Sequence, residues 1–321
     1  MPDGRVHPTI TLTALTVRDL AKNKHTMTQI TLLDGGMGQE LIHRAGDKPT
    51  PLWSTQVMRD HPGLVAQVHA DYFDAGATIA TTNTYAIHRD RLKTAGVEDQ
   101  FASLQQAAMD EAKNAKRTGT RIAAAIGPLV ASYQPDKHPD FEMAVPFYRE
   151  IAEALAPHSD LLICETVASI EHARSVLAGT RDLGVPVWLA VTVDDRDGTK
   201  LRSGEDIADV IALAEADATA ILINCSSPEA VGAGLKVLAG TKLPFGGYAN
   251  GFTQITSGFL EENPTVDALV QRRDMGPDAY ADHVMAWVAL GATIVGGCCE
   301  VGPAHIAKMA ERLKAAGHEV V

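Results

Sequence analysis

The sequence predicts a single (β/α)8 barrel, and three observations support that fold class. Short apolar runs rich in Val, Ile and Leu alternate with longer amphipathic segments along the chain. The runs are apolar on both faces, which is typical of parallel strands covered by helices. Eight such runs occur, and a length of 321 residues suits a barrel with insertions. Because no linker or shift in composition divides the chain, we expect one domain.

The predicted elements follow in order along the chain. The eight predicted strands are residues 30–36, 78–84, 121–128, 160–166, 185–193, 219–226, 243–250 and 292–299. Segments between them, such as 205–216 and 303–317, repeat apolar residues at helical spacing and predict amphipathic helices. We interpret 128–147 as a long loop over the barrel mouth. Residues 1–29 are interpreted as an extension, either mobile or a consequence of start-site choice, before a barrel at 30–321.

The charge balance argues against polyanionic partners. The chain has 40 acidic and 28 basic residues, giving a formal net charge of −12. Nucleic acid or an anionic membrane surface would therefore meet net repulsion. The first residues contain no uninterrupted apolar segment of the kind found in signal peptides, so the sequence predicts a cytoplasmic protein acting on small molecules. It leaves the oligomeric state open.

Cysteines at predicted strand ends form the strongest candidate site. Cys225 ends the sixth strand, and Cys298 and Cys299 end the eighth, which closes the ring beside the first strand and Asp34. The C-terminal ends of barrel strands meet at one rim, where barrel enzymes place their chemistry. Three thiolates with one open position are typical of catalytic zinc, and sulfur ligands favour zinc over magnesium or calcium. The sequence therefore predicts a zinc site at the barrel mouth.

Local sequence around the last two cysteines supports this prediction. We expect the glycine pair before Cys298 to let the backbone turn, so that two successive side chains reach one metal. A helix beginning near Pro303 would bring its positive end close to the thiolates. A redox switch that uses a Cys298–Cys299 disulfide is the alternative.

Other candidate ligands have simpler interpretations. Cys164 lies inside an apolar run and reads as a small core residue. His69 and His283 fall within helical segments and are interpreted as surface residues. The sequence has no P-loop, no Rossmann glycine fingerprint and no nucleophile elbow.

These motifs resemble the homocysteine S-methyltransferase family from about Ile30 to Leu313. The matching segments are LLDGGMGQEL, PLWS, DYFDAGATIATTNTY, IGPLVASY, CETVAS, INCSSPEAV and GATIVGGCCEVGPAHI. The resemblance implies transfer of a methyl group from an activated donor to the sulfur of homocysteine, making methionine on a zinc-bearing barrel. The physical chemistry agrees, because only the thiolate form of a thiol is a good nucleophile and a metal stabilises it.

The resemblance also implies roles for individual residues. Cys225, Cys298 and Cys299 match the zinc ligands, and Asp34 and Glu165 match the carboxylates that hold the amino group of homocysteine. The remaining positions expected to contact or support the substrate are Gly35, Thr81, Thr82, Asn83 and Asn224. Polar residues at a barrel rim also cap helices or pair with surface charges, and that alternative stays open for them.

The methyl donor is less well defined by sequence. The donors that the resemblance implies are S-methylmethionine, S-adenosylmethionine and betaine, and all are cationic at the reacting methyl group. Trp53 and Tyr85 are expected to face such a cation through their rings. Asn250 lies in a segment that usually reads Tyr-Pro-Asn-Gly in the family but has alanine in place of proline here. The alternatives are a module that receives methyl from a separate corrinoid protein, or a non-catalytic redox or zinc-binding barrel.

Overall fold

A computed structural model describes residues 27–46, 52–253, 255 and 271–321. Most of the predicted extension, residues 1–26, lies outside the described residues. Within them the chain forms nine strands, all paired in parallel. The strands are β1 Gln29–Leu32, β2 Ile79–Thr81, β3 Arg121–Ile126, β4 Leu161–Val167, β5 Val187–Val191, β6 Ala220–Asn224, β7 Phe245–Ala249, β8 Ile294–Gly297 and β9 Glu319–Val320.

Helices occupy the connections between strands. In the described part of the chain the α-helices are α1 Met37–Ala45, α2 Trp53–Asp60, α3 Leu64–Asp74, α4 Arg89–Thr94, α5 Phe101–Ala115, α6 Phe141–Leu155, α7 Ile170–Thr180, α8 Ala208–Asp217, α9 Pro228–Leu238, α10 Pro277–Ala289 and α11 Pro303–Ala315. Short 3-10 turns lie at Glu98–Gln100, Pro135–Lys137 and Ala156–His158. The predicted alternation of strand and helix is therefore confirmed.

The first eight strands close into a barrel. Each strand from β2 to β8 pairs with the next, and β8 pairs with β1. The ring closes through a parallel bridge between Leu33 and Ile79, and the amide of Thr78 also donates to the carbonyl of Leu32 at 2.7 Å. The extra strand β9, which was not predicted, pairs with the first residues of β1. This arrangement confirms the predicted (β/α)8 fold class and its single domain.

Two apolar layers fill the fold, one inside the barrel and one between the strands and the helices. Ile163 on β4 belongs to the interior layer, and Cys164, next in sequence, belongs to the outer one. Successive strand residues point to opposite faces, so Cys164 packs under the helices while Glu165 returns to the inside. The prediction that Cys164 is a core residue is confirmed by its complete burial.

One predicted loop is shorter than expected. The segment 128–147 was interpreted as a loop throughout, but α6 begins at Phe141. Pro146 lies inside that helix. The connection from β3 is therefore the shorter segment that ends before Phe141. In the described part of the chain, no helix has both the length and the apolar composition needed to cross a membrane.

Candidate active site

A pocket at the C-terminal end of the barrel collects most of the predicted site residues. Twelve of them line it, drawn from the ends of five strands and from α2: Asp34, Gly35, Trp53, Thr81, Thr82, Asn83, Tyr85, Glu165, Asn224, Cys225, Cys298 and Cys299. Asn250 is the exception. Its side chain is buried and hydrogen-bonds the hydroxyl of Tyr133, a residue that does line the pocket.

Three cysteine sulfurs form one wall of the pocket, the sulfur side. The ligand atoms of Cys225, Cys298 and Cys299 all lie within 4.8 Å of one another, and those of Cys298 and Cys299 are 4.0 Å apart. Tetrahedral zinc with about 2.3 Å bonds holds its sulfurs roughly 3.8 Å apart, close to the separation of the Cys298 and Cys299 sulfurs. Among the described residues this cluster of candidate metal ligands contains no fourth member. A fourth position therefore faces the pocket.

The sulfurs of Cys225 and Cys298 are in direct contact, and the Cα atoms of these residues are 5.9 Å apart. The disulfide alternative considered above joined Cys298 to Cys299. The structure instead brings Cys298 against Cys225 at the end of β6. The two strands that end in these cysteines, β6 and β8, are both neighbours of β7.

Backbone contacts fix the positions of these sulfurs. The amide of Cys225 donates to the carbonyl of Tyr248 at 3.2 Å, and the amide of Cys298 donates to the carbonyl of Ala249 at 2.9 Å. Cys225 has a φ of 49°, in the left-handed region that non-glycine residues rarely adopt. Such strain, about 1–3 kcal/mol, is typical of residues held in place for function.

The glycines before Cys298 act by close packing and not by unusual backbone angles. A Cβ on Gly296 would lie 2.5 Å from the Cβ of Leu33, and one on Gly297 would clash with Val301. Neither glycine has a positive φ. The predicted reason for the glycine pair, a backbone turn, is therefore wrong. Glycine is needed because the β8 end passes directly against β1 and the segment before α11.

The surroundings of the third cysteine favour a bound cation. Burial raises the pKa of the Cys299 thiol to about 12, although a hydrogen bond with Gln39 opposes that shift. A thiolate at this position therefore needs a positive charge beside it. A divalent metal would supply that charge. The helix α11 begins four residues later at Pro303, as predicted.

Two buried carboxylates line another part of the pocket, the carboxylate side. The Oδ2 atom of Asp34 accepts a hydrogen bond of 2.7 Å from the amide of Thr81. Burial and the nearby charge of Glu165 raise the pKa of Asp34 to about 8, although hydrogen bonds from Thr81 act against them. Burial also raises the pKa of Glu165 to about 7, while a 2.7 Å hydrogen bond from the Tyr248 hydroxyl opposes it. A cation bound beside these carboxyl groups would favour their ionised forms.

A local irregularity in β4 places Glu165. The pairing register of β4 with β5 shifts between Cys164 and Val167, and Thr166 has a φ of 58°. Asn224 at the end of β6 stabilises this bulge. Its Oδ1 accepts from the Thr166 amide at 2.9 Å, and its Nδ2 donates to the Thr166 hydroxyl at 3.2 Å. Asn224 thus connects the carboxylate side to Cys225, the next residue.

Polar residues after β2 mainly bond to the protein. The Thr82 hydroxyl accepts from the amide of Ala125 at 3.1 Å, and the Asn83 side chain donates to the carbonyl of Ser54 at 3.2 Å. Both residues line the pocket, but these bonds connect β2 to β3 and to α2. Gly35 packs so closely under the carbonyl of Val301 that a Cβ would clash.

Aromatic side chains cover the sulfurs from the third side. Trp53 and Tyr133 pack with Cys225, Cys298 and Ile255. Tyr133 was not predicted, and its place in the IGPLVASY segment directly after β3 was the available signal. Tyr85 lies beside the interior layer and shares a 2.8 Å hydrogen bond with Ser132.

A buried ion pair packs against the Tyr133 ring. The guanidinium of Arg202 lies 5.5 Å from the ring centroid and pairs with Asp195 at 2.9 Å. Both side chains are almost completely buried. Because Asp195 offsets the charge of Arg202, the aromatic face of Tyr133 remains suitable for a cationic ligand.

One histidine prediction is wrong. His69 was interpreted as a surface residue, but its side chain is completely buried on α3, with Nδ1 3.9 Å from Oδ2 of Asp34. The helical period placed it correctly in a helix, but the inward face of α3 includes this residue with Val65, Val68 and Tyr72. His283 is half-buried on α10.

The fold and the site together define a (β/α)8-barrel enzyme. A thiol-rich candidate metal site lies at the mouth of the barrel, beside two buried carboxylates. The sequence model of the homocysteine S-methyltransferase family matches residues 31–313, and the chain belongs to this family.

Individual relatives agree with this assignment. The chain is 32% identical to the homocysteine S-methyltransferase of Escherichia coli (strain K12), over 88% of this chain and 95% of that one. It is 27% identical to a selenocysteine Se-methyltransferase of Brassica oleracea var. italica, over 88% of each chain. The metallated crystal form of the E. coli homocysteine methyltransferase MmuM matches with a TM-score of 0.74 and 30% identity, covering 92% of this chain and 99% of that one.

Proposed function

We propose that this protein transfers a methyl group from a small cationic donor to the thiolate of L-homocysteine, forming methionine, and that zinc is its metal. The observation that supports this most is the pairing of two walls in one pocket. A three-sulfur site with an open position faces the pocket beside Asp34 and Glu165. Homocysteine has a thiol for the first wall and an ammonium group for the second.

The metal has a limited and defined role in this proposal. Zinc held by Cys225, Cys298 and Cys299 would supply the positive charge that keeps the substrate sulfur deprotonated near neutral pH. The thiolate sulfur then forms a bond to the methyl carbon, and the bond from that carbon to the donor breaks. Its electron pair stays with the donor atom, which loses its positive charge as the demethylated donor leaves.

The residues of this chain position the two substrates. Asp34 and Glu165 bind the ammonium group of homocysteine, and the Thr81 amide and the Tyr248 hydroxyl orient these two carboxylates. Once the thiol has lost its proton, methyl transfer requires no general base, and correct placement of the reactants supplies much of the acceleration.

The aromatic cover is the proposed donor subsite. Trp53 and Tyr133 lie against the sulfurs, so a cationic methyl group bound to their rings would lie near the substrate thiolate. Tyr85 lines the pocket at the interior end. The sequence-based assignment of Asn250 to this subsite becomes indirect, since its side chain acts through Tyr133.

The test is a metal analysis joined to a donor and acceptor panel. We expect zinc in protein purified under reducing conditions, and methionine formation with S-methylmethionine, S-adenosylmethionine or betaine. L-homocysteine and L-selenocysteine are compared as acceptors. Cys298→Ala should abolish both metal and turnover, while the matched variant Cys164→Ala should keep both. Metal-free protein, or turnover unchanged by Cys298→Ala, would refute the proposal.

A second candidate follows from the altered segment after β7. Asn250 hydrogen-bonds Tyr133 and is not among the residues that line the pocket. Ala249 replaces the proline that the family usually has at this position. The donor subsite therefore differs from the one that the family resemblance implies. A module served by a separate corrinoid protein would bind zinc and homocysteine but turn over only when that protein is added. Turnover with S-methylmethionine alone excludes it. A purely redox role predicts a titratable Cys225–Cys298 disulfide and no homocysteine binding.

A further inference from the structure

His69 is a buried histidine with no hydrogen-bond partner on either ring nitrogen among the described residues. It lies on the inward face of α3 and is completely buried. Leaving a buried polar group without a partner costs free energy, so native proteins rarely keep one without a reason. The Asp34 carboxylate lies 3.9 Å from its Nδ1 atom, just beyond hydrogen-bond distance.

Other buried histidines show that this condition is unusual in the molecule. His172 uses both ring nitrogens, accepting from the Ala168 amide at 3.3 Å and contacting the Tyr148 hydroxyl at 2.9 Å. His88 contacts the carbonyl of Tyr85 at 2.8 Å. These two histidines have structural partners in the protein, whereas the carboxylate beside His69 belongs to Asp34, a residue of the proposed substrate site.

The two groups are not ionised together in the free protein. Burial lowers the pKa of His69 to about 3 and raises that of Asp34 to about 8. Between these values both groups are neutral, so the contact is not a salt bridge. Glu165, Tyr72 and Tyr248 each interact electrostatically with Asp34.

Binding of an ammonium group changes the charge state of Asp34. A cation beside Asp34 favours its ionised form, and an ionised carboxylate oxygen can accept more than one hydrogen bond. The Oδ2 atom already accepts from Thr81 and has capacity for a second donor. A closure of about 1 Å would bring the Nδ1–H of a neutral His69 into normal hydrogen-bond range.

We propose that His69 is a positioning residue for the amino-acid substrate: it donates a hydrogen bond to Asp34 once that carboxylate binds the ammonium group. The inference rests on the proposed function, since it assigns the ammonium group of homocysteine to Asp34. Among the described residues, His69 is not one of those that line the pocket with the metal-binding sulfurs and the donor subsite. Its effect is confined to affinity for the amino group.

The experiment measures binding without turnover. The dissociation constant of L-homocysteine is determined by calorimetry on the zinc-loaded protein with no methyl donor present. It is compared with that of 4-mercaptobutanoate, the same thiol acid without its amino group. The variants are His69→Leu, which has no donor, His69→Asn, whose amide nitrogen lies near the Nδ1 position, and His69→Gln, whose amide lies nearer the Nε2 position. Val68→Ala, on the same helix, is the packing control.

We expect His69→Leu to weaken homocysteine binding by about 10- to 100-fold while changing 4-mercaptobutanoate binding by less than about 3-fold. His69→Asn should remain within about 3-fold of wild type, and His69→Gln should be about 10-fold weaker. Val68→Ala should weaken the two ligands equally, if at all.

Equal losses for both ligands in His69→Leu would overturn the inference, because the histidine would then act through packing alone. If that variant does not fold, the Asn and Gln variants decide the question, and equal homocysteine affinity in these two would overturn it. Failure of the wild-type protein to bind homocysteine would refute the proposed function itself. Binding by wild type with no effect of His69 variants would refute only the inference.

Discussion

The sulfur side and the carboxylate side of the pocket are built in different ways. The cysteines are placed by backbone: strand ends, amide hydrogen bonds and closely packed glycines fix Cys225 and Cys298. The carboxylates are placed by side chains from distant parts of the chain. Tyr248 reaches Glu165 across 83 residues of sequence. We expect a site positioned by backbone contacts to tolerate substitutions of the side chains around it. A site positioned by side-chain contacts should instead lose activity in steps as each of those side chains is removed.

The largest effect is expected on the sulfur side. Cys299→Ala leaves two sulfurs, too few for a catalytic site that needs three protein ligands, so zinc should be lost together with at least about 1,000-fold of turnover. Metal analysis and initial rates measure both quantities. Glu300→Gln, at the next position, is the control and should retain metal. Full zinc occupancy in Cys299→Ala would show that the cluster is not the metal site.

The second effect tests whether the carboxylate side is independent of the sulfur side. Glu165→Gln removes the charge that faces the ammonium group, and loss of one partner of a buried charge pair costs about 3 kcal/mol, or roughly 100-fold in homocysteine KM. Zinc content should stay unchanged. The control is Glu171→Gln, which removes only a surface ion pair with Arg174. A loss of zinc in Glu165→Gln would show that the two sides are coupled.

The same difference explains how much the sequence could predict. The eight barrel strands and the three sulfurs follow from apolar runs and from cysteines at strand ends, since both signals are local. The partners of the carboxylates are not local. Tyr248, which donates to Glu165, comes from β7, and His69 faces inward on α3 beside Asp34, which follows β1. Helical period alone could not decide whether His69 faced the core, because α3 has both buried and exposed polar positions.

A third effect concerns pH and should be confined to the carboxylate side. The folded protein raises the pKa of Asp34 from 3.8 to about 8 and that of Glu165 from 4.5 to about 7. Without substrate, the folded state therefore binds more protons than the unfolded state between about pH 4 and 8. The contribution to stability is fully present below about pH 4, falls progressively as pH rises, and is lost above about pH 8.

Asp34→Asn should remove its share of this dependence. We expect the free energy of unfolding of the variant, relative to wild type, to rise by a few kcal/mol between pH 5 and pH 8.5. Urea titrations at the two pH values measure this difference, in which the pH dependence of metal binding cancels. Asp60→Asn, on the surface of α2, is the control. An unchanged difference between Asp34→Asn and wild type would mean that Asp34 is already ionised in the free protein.

The smallest expected effect separates orientation from charge within the carboxylate side. Tyr248→Phe removes the hydroxyl that donates to Glu165 at 2.7 Å but leaves the carboxylate in place. The loss of one hydrogen bond to a charged group costs about 1.5 kcal/mol, so homocysteine KM should rise about 10-fold. If the hydroxyl only orients Glu165, the double variant Tyr248→Phe with Glu165→Gln should be no worse than Glu165→Gln alone. Additive losses would instead assign Tyr248 a contact of its own with the substrate. The carboxylate side would then contain a third binding group, supplied by β7, the strand between those that position Cys225 and Cys298.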